Sequence, residues 1–176
     1  GIDEWSWYKN DFSGIYPARI QNSANDDYKE LKNLISFVHD SNDEVFVTQF
    51  ETYFDKESVL RYYIVVMVLG LVDSLGKNMK LVTFDGVKWY IDFYDMDTAM
   101  GLDNTGASKY DVDIEVNVDE FNTADSVLWS RVRTLFAADL ITEYNNLRNG
   151  NLTLDKIYEC LFTNQIEKIP EKQYNF

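Results

Sequence analysis

Cysteine and histidine are nearly absent from this sequence, with one of each, Cys160 and His39, in 176 residues. A single cysteine excludes an internal disulfide framework and leaves the redox compartment open. The single histidine has no cysteine, serine or carboxylate pattern around it to make it a general base. At the end of a helical stretch it reads as a surface residue favourable to the helix dipole. Basic residues are scarce as well. Sixteen Lys and Arg stand against 30 Asp and Glu, a net charge of −14, which argues against unspecific binding to nucleic acid or to an anionic membrane surface. An anionic ligand would be repelled unless a cation bridged it to the carboxylates. Long apolar runs are missing: the longest, Tyr62 to Val72, is eleven residues, too short to cross a bilayer. No basic, apolar leader opens the chain, and no repeat, low-complexity tract or linker interrupts it. The first residue is not Met, which points to a piece of something longer. What is present, 45% hydrophobic and 15% aromatic residues, suits one globular domain with a real core.

Along the chain, residues 1–22 carry Trp5, Trp7, Tyr8, Phe12, Ile15 and Tyr16 without a clear period and read as an irregular, aromatic-anchored arm. A single domain is expected over 23–170, with a polar tail at 171–176. Ser23 is placed to cap a helix running to Asp40, with Tyr28, Leu31, Leu34, Ile35 and Val38 on its buried face. A second helix is expected over Asp43 to Tyr53. Asp55 then caps a third, Lys56 to about Val72, whose later half is apolar all round, as a central buried helix would be. Two strands follow, Met79 to Phe84 and Val87 to Phe93, and Asp85-Gly86 between them is the pair that a tight hairpin turn favours. Residues 98–110 read as a loop. Asp111 to Phe121 alternates apolar and acidic residues, a strand with a solvated acidic face. Ser126 caps a long helix to about Asn149, ended by Gly150, and Thr153 caps a last one from Leu154 to about Glu167. The expected class is α+β, mainly helical, with an embedded β-hairpin.

The stretch from Asp73 to Asp97 carries the chemistry. Asp73 and Asn78 lie five positions apart in a loop, the hairpin follows, and Asp95-Met96-Asp97 comes directly after it. This is the order in which a protein kinase sets out its catalytic loop, a hairpin and its metal-binding Asp. Phosphoryl transfer needs a group to orient the acceptor hydroxyl and metal ions to neutralise the phosphates. Asp73 fits the first role. Asn78 and Asp95 fit the second, because a hairpin that runs out and back returns Asp95 beside Asn78. Asp97 shares the face of Asp95 in an extended segment and either adds a ligand or holds the loop. The blander alternative is that Asp73 ends a helix, Asn78 satisfies a turn and Asp95 and Asp97 are strand-end polar residues. An EF-type calcium loop starting at Asp95 fits at Asp97 and Asp103. It fails at Met100, where Gly is required, and at Gly106, where Glu is required. No His-Arg precedes Asp73, no Phe-Gly follows Asp95, and no Gly-rich phosphate loop occurs in the sequence.

Over Tyr53 to Gly101 the chain resembles the spore-coat protein H (CotH-type) family of atypical protein kinases. The residues that carry the likeness are Phe54-Asp55 opening an apolar helix, Asp73, Lys77-Asn78, and Asp95-Met96-Asp97 followed by Gly101. Phe93-Tyr94 stands where the family pattern has Pro-Trp. The resemblance implies a protein-kinase-like C-terminal lobe, with Asp73 catalytic, Asn78 and Asp95 holding metal with Asp97, and Lys77 at the nucleotide. It further implies Mg²⁺ or Mn²⁺ with ATP as cofactors and a protein hydroxyl as acceptor. Modules of this look also occur in large bacteriophage virion proteins. The alternative is therefore a non-catalytic, kinase-like structural module whose partners are neighbouring subunits of a virion or coat assembly. Neither nucleic acid nor membrane is expected as a partner.

Overall fold

The computed structural model describes residues 29–71, 74–75, 78–96, 99–100, 102, 105–107 and 126–160. The aromatic arm, the Ser23 cap, the alternating 111–121 segment, the tail and Asp73, Lys77 and Asp97 of the candidate site lie outside these residues. The described elements are α1 (Lys29–Asp40), α2 (Asp43–Tyr53), α3 (Lys56–Leu69), β1 (Lys80–Thr83), β2 (Trp89–Asp92), α4 (Val127–Leu135), α5 (Ala137–Arg148) and α6 (Leu154–Tyr158). The class is α+β, mainly helical, with a small antiparallel sheet of two strands. The chain divides into two compact units, residues 1–137 and 138–176.

In the first unit, helix boundaries follow from side chains that complete unsatisfied backbone N–H groups. The Asn42 Oδ1 accepts from Val45 N at 2.9 Å to start α2, and Asp55 Oδ1 accepts from Ser58 N at 2.9 Å to start α3. Ser126 Oγ does the same for α4, accepting from Trp129 N at 3.2 Å. Helix α3 ends at Gly70, which takes φ +63° and donates its N–H to Val66 O. That left-handed geometry is nearly free for glycine and costly for other residues.

The core is aromatic. Phe37, Phe46, Phe50, Phe54 and Phe136 are buried, and their rings meet in sequence: Phe37–Phe46 at 5.3 Å, Phe46–Phe50 at 5.1 Å, Phe50–Phe54 at 4.9 Å and Phe50–Phe136 at 4.7 Å. Tyr53 stacks on Phe37 at 4.0 Å. Arg131 of α4 closes the C-terminus of α1. Its Nη1 donates to Val38 O at 2.8 Å and to Ser41 Oγ at 3.2 Å, its Nη2 donates to Asp43 Oδ1 at 3.1 Å, and its guanidinium covers the Phe46 ring at 4.0 Å. With Arg131 at that helix end, His39 is half-buried instead of a surface residue, and its Nε2 has no hydrogen-bond partner among the described residues. Tyr63 is buried, and that burial pushes its phenol above the ordinary range against the opposing pull of Arg133.

The hairpin is shorter than the sequence suggests. Register pairs Lys80 with Asp92 and Thr83 with Trp89, so residues 84–88 form the loop and Asp85-Gly86 is not a two-residue turn. Asp85 causes this: its Oδ1 accepts from Val87 N and Lys88 N, each at 2.8 Å, while Gly86 N donates to Thr83 Oγ1 at 2.9 Å. Those bonds hold the Asp85 carboxyl below its usual range. Gly86 has φ +76°, and a Cβ there would come 2.8 Å from Glu30 Cγ of α1. The sheet is tied to α3 by a parallel bridge between Phe54 and Trp89 and by Asp55 N donating to Trp89 O at 2.9 Å.

The long helix expected from Ser126 to Asn149 is broken. α4 stops at Leu135, Phe136 leaves helical geometry at φ −111° and ψ 24°, and α5 starts at Ala137. Phe136 is buried among Phe46 and Phe50, and α5 has no buried residue. In the second unit, Gly150 N donates to Leu147 O at 3.1 Å and Leu152 N to the same carbonyl at 2.7 Å. Thr153 then caps α6 by accepting from Lys156 N.

Candidate functional site

Helix α3 delivers the chain into the segment between Gly70 and β1, where the described residues are almost all buried. Leu71 and Leu75 are fully inaccessible, and Ser74, Asn78 and Met79 are nearly so. A buried loop carries carbonyls that helix and sheet ladders do not satisfy. Here aromatic side chains satisfy them. The Tyr62 hydroxyl, from α3, donates to Ser74 O at 2.6 Å, and Trp129 Nε1, from α4, donates to Leu75 O at 2.7 Å. The two rings stack on one another with centroids 5.9 Å apart. Within the segment, Ser74 N donates to Leu71 O at 3.1 Å.

The hairpin brings the other side of the candidate site back. Asn78 Nδ2 donates to Asp95 O at 3.3 Å, closing a separation of 17 positions in sequence. Asp95 has φ +54°, left-handed backbone that Asp and Asn tolerate better than most side chains, and its side chain is in solvent. Beyond it the chain returns to the end of α3: Met100, at φ +58°, donates its N–H to Leu69 O at 2.6 Å. Lys80 Nζ sits 3.2 Å above the Tyr94 ring, a cation–π contact one residue from Asp95. Phe93, though partly exposed, lies against Tyr62 with ring centroids 4.8 Å apart.

Of the residues expected to converge, Asn78 and Asp95 are thus together. Asp73, Lys77 and Asp97 lie outside the described residues. Among the described residues no three His, Cys, Asp or Glu side chains gather into a metal cluster. The donors at the hairpin base are a carboxamide and a carboxylate. Such hard oxygen groups suit Mg²⁺ and Mn²⁺ and do not suit soft, thiolate-seeking ions. Sequence reasoning missed Tyr62 and Trp129, although buried Tyr and Trp usually find a partner for their polar tips.

The described residues form a mainly helical α+β chain in which the Asn78 side chain meets the Asp95 backbone across the base of a hairpin, close after the end of α3. The family model described as CotH kinase protein matches residues 3–172, nearly the whole chain, and the protein belongs to that family. No curated protein and no solved structure matches it.

Proposed function

We propose that this chain is a metal-dependent phosphotransferase of the CotH kinase type, transferring phosphate from ATP to a protein hydroxyl. The observation that carries the reading is the Asn78–Asp95 hydrogen bond. It brings the Asp95 backbone, whose carboxylate is exposed, beside the Asn78 side chain at the place where the hairpin returns. Asn78, Asp95 and Asp97 would hold Mg²⁺ or Mn²⁺, which supplies neutralisation of phosphate charge when bound. Lys77 meets the nucleotide phosphates. Asp73 accepts the hydrogen bond of the substrate hydroxyl and takes its proton, so that the hydroxyl oxygen bonds phosphorus as the bond to ADP breaks. Asn78 contributes its amide oxygen while its Nδ2–H group keeps the post-hairpin backbone in place.

Mn²⁺ titration followed by electron paramagnetic resonance, with and without ATP, tests this. The expected result is that Asp95→Ala loses Mn²⁺ and Mn²⁺-dependent ATP binding, whereas Asp73→Ala binds normally and loses transfer. Equal binding loss in both variants contradicts the roles. No binding by the native chain favours the alternative, a kinase-like structural module held by neighbouring subunits of a virion or coat.

A further inference from the structure

Beyond the ligands themselves, Ser74 and Leu75 are held by two donors from different helices. Tyr62 and Trp129 are each about 1% exposed, their polar atoms reach consecutive carbonyls at 2.6 and 2.7 Å, and their rings are stacked within 16° of parallel. Two donors on consecutive carbonyls restrain the backbone at two successive points. Three residues further on comes Asn78, which is itself buried and hydrogen-bonded to Asp95. The partner side is anchored on the same aromatic, because Phe93, two residues before Asp95, packs against Tyr62 at 4.8 Å. Tyr62 therefore touches both segments that meet at the site, one by a hydrogen bond and the other by its ring.

We infer that Tyr62 and Trp129 are positioning residues that set the placement of Asn78 against Asp95 through the Ser74 and Leu75 carbonyls. The inference rests on the phosphotransferase reading for its functional consequence, but not for its geometry. Groups hydrogen-bonded directly to a metal ligand change metal affinity about 10- to 100-fold when removed, and restraints acting through the adjoining backbone, as here, are expected at the lower end of that range. A merely structural role would change stability and leave the site as it was.

The experiment uses Tyr62→Phe and Trp129→Phe in the full chain, with Tyr63→Phe as the control. Tyr63 is also buried on α3 and also contacts Trp129, at 5.8 Å, but its hydroxyl feels the charge of Arg133 and makes no hydrogen bond to the loop among the described residues. Tyr62→Phe keeps the ring and so preserves folding if Trp129→Phe does not. The primary readout is the Asn78 side-chain amide in ¹⁵N spectra, which needs neither metal nor nucleotide. Its resonances should shift and its protons should exchange about tenfold faster in Tyr62→Phe, with no such change in Tyr63→Phe. Mn²⁺ affinity should fall about tenfold in parallel. Unmoved Asn78 resonances, or equal movement in the control, overturn the inference. Should the native chain bind no Mn²⁺ while the resonance change is seen, the phosphotransferase reading falls and the positioning of Asn78 stands.

Discussion

At the residue scale, Asp95 separates what its backbone does from what its side chain does. The carbonyl accepts from Asn78 and the backbone is left-handed at φ +54°, a conformation that costs an ordinary L-residue about 1–2 kcal/mol. The exposed carboxylate takes part in neither. Under the proposed function, this backbone conformation would hold the exposed carboxylate free for a cation. Asp95→Gly should therefore keep the hairpin closure and leave stability unchanged within about 1 kcal/mol, since relief of strain offsets the added freedom of the unfolded chain. Mn²⁺ binding should disappear. Thermal melting beside a Mn²⁺ titration decides it, and retained affinity would remove Asp95 from the ligand set. Asp85 makes a different case. Its carboxyl is held below 3.8 by the Val87 and Lys88 N–H groups, so the unfolded chain takes up the proton first as pH falls. The stabilisation is fully present above that value and is lost as pH drops through the lower, folded one. Melting temperatures of the native chain and Asp85→Ala should thus differ at pH 7 and converge as the pH is taken well below the ordinary carboxylate range.

At the scale of elements, the parts legible in the sequence are those specified locally. α2 begins at Asp43 and α3 at Lys56, as read, because capping needs only a side chain three residues from its N–H. The return of the chain to Asn78 was legible too, since a hairpin folds two neighbouring stretches together whatever its turn, although the contact is to the Asp95 backbone carbonyl and not to its carboxylate. The turn itself was not, because Asp85 bonds backbone beyond the Asp-Gly pair and widens it. Nor was the break at Phe136. Leu128, Val132, Phe136, Leu140 and Tyr144 keep a four-residue step across it, so periodicity runs on while burial of Phe136 against Phe46 and Phe50 ends the helix. The donors to Ser74 and Leu75 lie 12 and 54 positions away, beyond any local pattern. Gly70 joins the local and the distant: it ends α3 in left-handed geometry just before the loop. Gly70→Ala should cost about 1 kcal/mol in denaturant unfolding, and more would mean that the loop also resists the shift.

At the scale of the whole molecule, charge and composition govern ligand binding. The chain carries −14, and ATP is anionic, so free nucleotide meets repulsion that only a bound cation can offset. The sequence has no Gly-rich loop to cradle phosphates, so under the proposed function Lys77 and a bound cation would be the main contacts. The family match spans residues 3–172, so a nucleotide site of the proposed kind would draw on residues of this stretch. The expectation is that the isolated 176-residue chain binds no ATP in EDTA and binds Mn²⁺·ATP more weakly than micromolar. Affinity for Mn²⁺ alone should fall as salt screens the carboxylates that attract it. Calorimetry of the chain with ATP, in EDTA and then with Mn²⁺ at two ionic strengths, is the check. Micromolar binding by a monomer would show that the described helices and hairpin suffice to grip nucleotide, and would move the search for a phosphate-holding partner back onto this chain.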